Sequence, residues 1–133
     1  MAIQQSVAVR NAMLDAEETT IGTSPILEIR SGAQPANCAA ADSGTLLASM
    51  TLPSDWMAAA ASGSKSKSGT WEDLSANATG TAAHYRIKDS GGTTCHEQGS
   101  VGQGSGDLQL DNTSIVAGQQ VTITSWTRTA GNA

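Results

Sequence analysis

Apolar and polar residues alternate in two short runs near the end of the chain. The first is Leu108–Leu110, and the second is VTITSW at residues 121–126. Because successive side chains of an extended chain point to opposite faces of a sheet, a period of two residues predicts half-buried strands. Between the runs, the DNTS segment and the pair Ala117-Gly118 predict turns. This part of the chain has the pattern of a surface built for packing and contact.

The same alternation predicts strands earlier in the chain. Ile26–Arg30 alternates in part and stops at the turn-forming SGAQP, and residues 45–52 alternate until a proline closes them. Residues 82–88 are expected to have one buried and one solvated face. The buried set is Ala83, Tyr85 and Ile87, and the solvated set is His84, Arg86 and Lys88. The DSGG segment that follows predicts a hairpin turn, so residues 93–101 should return as an antiparallel neighbour.

Residues 3–18 have helical periodicity. Ile3, Val7 and Leu14 fall near one face at a spacing of about 3.6 residues. The TTIGTSP segment then ends the helix with β-branched residues, a glycine and a proline. The apolar stripe is narrow, so the helix is expected to dock on a sheet rather than form a core. The chain is therefore divided into an N-terminal helix or arm, residues 1–24, and a β domain, residues 25–133.

The strand pattern predicts the fold class. Roughly six to eight short strands, spaced about ten residues apart with turn signals between them, are typical of a β-sandwich. A chain of 133 residues fits one domain, since domain lengths peak at about 100–150 residues. We therefore expect a mainly β protein: a single antiparallel β-sandwich or jelly-roll-like domain, with the helix as an arm or cover.

Composition and charge exclude several function classes. The net charge is −5 and only 14% of residues are charged, whereas a nucleic-acid site needs clustered lysine and arginine. No run approaches the roughly 18 apolar residues of a membrane span. The N-terminus also lacks a signal-peptide core, which predicts synthesis in a cytoplasm. Two free thiols, Cys38 and Cys95, are then the default, although their spacing alone leaves a disulfide open.

Candidate catalytic and metal-binding motifs are weak. The glycine-rich residues 99–106 precede a strand pattern, whereas a phosphate-binding loop precedes a helix. A zinc set of His84, Cys95 and His96, with or without Cys38, lacks the close ligand pairs of structural zinc sites. The carboxylates are scattered, and nothing selects a catalytic pair. The sequence therefore predicts no enzyme, no catalytic residue, no metal and no cofactor.

The aromatic residues are candidates for contact with other subunits. For Trp126 and Tyr85, a place in the core is about as well supported as a contact with another subunit. Trp56 and Trp71 lie in weakly patterned, Ala/Ser/Gly-rich segments. Residues 55–63 fit either a helical turn or a loop that plugs one end of the domain, and residues 64–71 fit either an edge strand or a mobile loop. Because tryptophan is enriched among interface anchors, we predict that these two rings contact a neighbouring subunit. The helix residues Val7 and Leu14 complete the predicted interface. 

Four motifs carry a resemblance to a known family. They are LEIRSGAQP at 27–35, GTLLASMTLP at 44–53, YRIKDSGGT at 85–93 and DLQLDNTSIVAGQQVTITSWT at 107–127. In this order they resemble a group of small structural proteins of tailed bacteriophages, encoded among head and tail genes. The likeness runs from about residue 11 to 127. The chain departs from the family pattern at Cys38, at Cys95-His96 and in SGSKSKSGTWED.

The resemblance implies a virion protein without catalytic residues. Its most concrete form is a capsid decoration, or cement, protein that binds the major capsid protein on the head surface as a dimer or trimer. Two alternatives stay open. One is a tail or fibre-associated structural protein. The other is a carbohydrate- or receptor-binding module in which Trp56 or Trp71 stacks on a sugar.

Overall fold

The computed structural model describes residues 3–130, which form one helix and ten strands. The elements are α1 Val7–Ile21, β1 Ile26–Arg30, β2 Leu46–Thr51, β3 Ser64–Ser66, β4 Glu72–Asp73, β5 Gly80–Thr81, β6 His84–Lys88, β7 Cys95–Gly102, β8 Leu108–Leu110, β9 Ser114–Ile115 and β10 Val121–Thr129. Within residues 3–130 no helix combines the length and the apolar character needed to cross a membrane.

Eight strands form one curled sheet. Their order is β2-β1-β6-β7-β8-β10-β3, with β4 also paired to β10, while β5 and β9 pair with each other. The predicted hairpin is present, since β6 and β7 pair antiparallel across the DSGG turn. The prediction of a mainly β, sandwich-like domain with an N-terminal helix is confirmed. One pairing, that of β7 with β8, is parallel.

The parallel pair is joined by a tight loop, residues 103–107. Parallel neighbours usually need a long crossover, but β7 and β8 share only two residue pairs at their ends. Gly104 and Gly106 take left-handed φ angles of 72° and 83°, which let the chain loop back tightly and then resume the same direction. Asp107 holds the loop by accepting a 2.9 Å hydrogen bond from the Ser100 amide. The glycine-rich segment is therefore a strand connection.

The core lies on one face of the sheet. Leu27 and Ile29 of β1 stand opposite Ile87 and Tyr85 of β6, and all four are buried. Further large members of the core are Leu47, Met50, Leu52, Trp56, Met57, Trp71, Leu108, Leu110, Ile115, Val121, Ile123 and Trp126. The alternation therefore places Tyr85 and Ile87 of β6 on the core face as expected. Ala83, predicted to share that face, is exposed, because it lies just before β6 begins at His84.

The helix has defined caps at both ends. The Ser6 hydroxyl accepts a 3.2 Å hydrogen bond from the Val9 amide, which satisfies one free donor of the first turn. Gly22, with φ 92°, follows the last helical residue, and its amide closes the final turn. The predicted helix of residues 3–18 is thus displaced to Val7–Ile21. The helix starts later than predicted because its capping residue is Ser6. It ends later because the β-branched residues Thr19, Thr20 and Ile21 remain helical.

Residues 31–45, here called the strap, connect β1 to β2 and fold over the face of the sheet opposite the core. Arg86 donates from Nη2 to the carbonyls of Asn37, Cys38 and Ala40 at 3.3, 3.0 and 3.1 Å. His84, Arg86 and Lys88 are only 1%, 2% and 6% exposed. The prediction that they are solvated is wrong, because the strap covers this outer face.

Candidate interaction surface

The structure places Trp56 and Trp71 in the core rather than on a surface. Their exposed fractions are 0% and 1%, and their rings lie beside that of Trp126, with centroids 5.4–5.9 Å apart. Tyr85 meets Trp126 edge-on at 6.5 Å. The predicted contact of Trp56 and Trp71 with another subunit is corrected, because neither ring can reach one.

Each indole N–H in this cluster has a partner. Trp56 donates to the Gly22 carbonyl at 2.9 Å, which ties the end of α1 to the core. Trp71 donates to the Ser68 carbonyl at 3.0 Å, and Trp126 donates to the Tyr85 hydroxyl at 3.1 Å. Buried tryptophans are well tolerated where the N–H is satisfied. The burial of the rings also removes the flat platform that a sugar-stacking site would need.

The two helix residues of the predicted interface lie in different environments. Leu14 is 2% exposed and lies on the buried side of α1. Its predicted contact with another subunit is therefore corrected as well. Val7 is 46% exposed and remains accessible.

Exposed apolar residues are concentrated at the N-terminus. Six large apolar side chains are exposed in the described residues, and four of them lie before residue 14. We call these four, Ile3, Val7, Val9 and Met13, the N-terminal apolar surface. Their exposed fractions range from 46% to 80%. Single exposed apolar residues need no explanation, whereas four within one short segment form a candidate contact surface.

The helix turns a polar stripe inward, and this explains why apolar residues face out. Asn11, Asp15 and Glu18 share one side of the helix and accept hydrogen bonds from backbone amides of the segment 57–63. Lys65 of β3 also donates to Asp15 at 2.6 Å. Because these polar residues hold the helix on the domain, Val9 and Met13 on the opposite side are left exposed.

A groove runs beside this surface, between α1 and the sheet. Its volume is about 420 Å³. The helix side is formed by Met13, Ala16 and Thr20, and the sheet side by His96, Glu97 and Arg128. The apolar wall is continuous with the N-terminal apolar surface through Met13. No local pattern predicts the groove, because its two walls lie far apart in the chain.

Glu97 is the electrostatically unusual residue of the groove. Its carboxylate lies 2.8 Å from Arg128, which also contacts Glu17 at 2.9 Å. Burial nevertheless raises the pKa of Glu97 to about 7, and Arg128 offsets only part of this effect. The groove therefore changes its charge near neutral pH.

Replacing Glu97 with glutamine should flatten the pH dependence of stability. Because the folded-state pKa lies above the ordinary value, the folded protein binds more protons than the unfolded chain between about pH 4.5 and 7. Stability is thus lost as pH rises. Relative to Glu97→Gln, the wild type should lose roughly 1–2 kcal/mol between about pH 5.5 and pH 8 in urea unfolding. A Glu72→Gln control should keep the wild-type profile, and an unchanged profile in Glu97→Gln would contradict the assignment.

A second charged cluster lies under the strap. Asp42 contacts Arg86 at 2.6 Å, Lys88 at 2.7 Å and Arg30 at 3.2 Å, and Glu28 contacts both Lys88 and Arg30 at 3.0 Å. Burial alone would raise the pKa of Asp42, but Lys88 and Arg86 outweigh it and hold the pKa below its ordinary value. The available signal in the sequence was a charged residue at every second position, in Glu28-x-Arg30 and in Arg86-x-Lys88.

A cleft of about 740 Å³ borders this cluster. Strap residues 38–42 form one side, and Arg86, Lys88 and Cys95 form the other. Cys38 and Cys95 are both free thiols and half-buried. Burial and the adjacent Cys38 thiol raise the pKa of Cys95 to about 11, although Arg86 lies beside it. The fold thus brings together two cysteines that lie far apart in the sequence.

The structure does not assemble the zinc set considered above. His84 is buried beneath the strap, where its Nδ1 lies 3.0 Å from the Gly32 carbonyl, whereas His96 is exposed at the groove. Among residues 3–130, no three histidine, cysteine or carboxylate side chains converge as metal ligands.

Comparisons with protein-family models, with curated proteins and with solved structures gave no match.

Proposed function

We propose that this protein is a virion structural protein that decorates a bacteriophage capsid. It binds the major capsid protein through the N-terminal apolar surface, and the β domain serves as a rigid body that holds this surface outward. The grouped exposure of Ile3, Val7, Val9 and Met13 carries the proposal. We propose the capsid as the partner because the sequence resembles those of small phage structural proteins.

The arrangement of α1 supports a docking role. The polar residues of its inward side accept hydrogen bonds from the segment 57–63. These bonds hold the helix in place while Val9 and Met13 face solvent. A surface that is ordered before binding loses little entropy when it docks. Several weak contacts of this kind, made across neighbouring capsid subunits, strengthen one another through effective concentration.

Binding to capsids tests the proposal. Capsids are prepared from a phage in which the gene for this protein is deleted, and recombinant protein is added back. We expect the protein to co-sediment with the capsids and to raise the temperature at which they open. A double variant, Val7→Asp with Met13→Asp, should bind at least about tenfold more weakly, since both side chains lose apolar contact and each adds a charge to be desolvated.

A matched control separates docking from folding. Leu74 is 70% exposed but lies outside the N-terminal apolar surface, so Leu74→Asp should bind as the wild type does. All variants should keep the wild-type melting temperature, because the changed residues are exposed. Antibody labelling of virions adds the location. Label on the tail alone would favour the tail-associated alternative, and wild-type protein that binds neither part would refute the proposal.

A further inference from the structure

The two cysteines are arranged as a pair. Cys38 lies on the strap and Cys95 begins β7, and both line the same cleft. The Cys38 thiol is also close enough to Cys95 to raise its pKa. The segment around Cys38 is held in place from below, since the carbonyls of Asn37, Cys38 and Ala40 all accept hydrogen bonds from Arg86. The proximity of the thiols is therefore a built feature of the fold and not a chance approach of a loose loop.

We propose that Cys38 and Cys95 form a reversible disulfide that fastens the strap to β7 when the protein meets a low-molecular-weight disulfide. The Cys38 thiolate attacks the external disulfide, forms a mixed disulfide and expels one external thiolate. The Cys95 thiolate then attacks the Cys38 sulfur, closes the bridge and expels the second. Two protein thiols are oxidised, the external disulfide is reduced to two thiols, and the protons of the cysteines pass to the departing thiolates.

The surroundings set the order and the rate of these steps. Cys95 is protonated at neutral pH because burial and the adjacent Cys38 thiol raise its pKa to about 11. Cys38, on the strap, is therefore the residue that reacts first. The rate of bridge closure should rise with pH between 7 and 9 as the thiolate fraction of Cys95 grows, because burial still raises its pKa once Cys38 is in the mixed disulfide.

Incubation with glutathione disulfide tests the proposal on the full chain. The protein is first reduced and freed of reductant. After incubation, Ellman's reagent should detect neither thiol. The mass should fall by two hydrogen atoms, with no glutathione attached. Trypsin should then release one linked pair of peptides, residues 31–65 joined to residues 89–128. The oxidised protein should remain monomeric on a non-reducing gel. Its melting temperature should rise by about 5 °C or more and return on reduction.

Single-cysteine variants provide the control. Cys95→Ser should accumulate one glutathione on Cys38, because the second step is blocked. Cys38→Ser should react far more slowly, because Cys95 is left as the only thiol. The proposal is overturned if wild-type protein ends with a glutathione on each cysteine or forms disulfide-linked dimers. It is equally overturned if Cys95→Ser is modified while the wild type remains reduced.

Discussion

Replacement of Trp126 by alanine should lower the free energy of unfolding by about 3–5 kcal/mol, the range for loss of a fully buried aromatic side chain. The ring is 1% exposed and is the one ring that contacts Trp56, Trp71 and Tyr85 alike. Its removal takes away these ring contacts and leaves a cavity between the strands and the segments that carry the other tryptophans. It also deprives the Tyr85 hydroxyl of the indole donor at 3.1 Å.

This loss is a large share of the total stability, which for a domain is typically about 5–15 kcal/mol. Chemical denaturation followed by circular dichroism measures it, with Ser125→Ala as the control. Ser125 is the neighbouring residue on β10 and is exposed, so its change should stay within about 0.5 kcal/mol. Trp126→Phe should fall between the two, since it keeps part of the ring volume. A Trp126→Ala variant within about 1 kcal/mol of the wild type would contradict the central place of this ring in the core.

The sequence predicted the strands that alternate and the turns that contain glycine. Ile26–Arg30 was placed at its exact bounds, and the hairpin of β6 and β7 was placed with its turn. These features are local, since a period of two residues and a DSGG turn depend on a few neighbouring residues. The helix was predicted, but its bounds were not, because its start depends on the capping hydroxyl of Ser6.

The tryptophans could not be placed from the sequence. Trp56 and Trp71 lie in segments with little regular structure, where no periodicity reveals which face is buried. Their burial depends on strands that meet them from distant parts of the chain. The Trp71 carbonyl, for example, accepts a 2.9 Å hydrogen bond from the amide of Ile123. Contacts over such separations leave no pattern in a local window.

The helix orientation was predicted only in part. Apolar periodicity placed Val7 and Leu14 on one side that docks on the sheet, and Leu14 is buried there, but Val7 is 46% exposed. The helix is held largely by polar side chains that bind backbone amides. A polar side chain is expected to face solvent unless it can accept a hydrogen bond from a buried donor. Here the irregular segment 57–63 supplies such donors. The exposed apolar surface therefore follows from the needs of a loop, which the pattern of α1 alone does not contain.

The strap buries charged side chains that the sequence pattern placed in solvent. Its attachment through Asp42 gives the second prediction with a large expected effect. Asp42→Asn should cost about 2–4 kcal/mol of stability. This is somewhat below the 3–5 kcal/mol typical of breaking a buried ion pair, because Asp42 is 33% exposed. The variant leaves Arg86, 2% exposed, without its carboxylate, and leaves Lys88 with Glu28 alone. Asp55→Asn is the control, since Asp55 is exposed and has no hydrogen bond or ion pair within residues 3–130.

The pH dependence gives the prediction a second signature. The pKa of Asp42 lies below its ordinary value in the folded protein, so its contribution is present above the unfolded-state value of about 4. It is lost as pH falls through the lower folded-state pKa. Wild type should therefore lose more stability on acidification than Asp42→Asn does. Faster hydrogen exchange at the Ala40 amide, which is bonded within the strap, should accompany the variant at neutral pH. Stability within about 0.5 kcal/mol of the wild type, with unchanged exchange, would mean that the strap is held without this carboxylate.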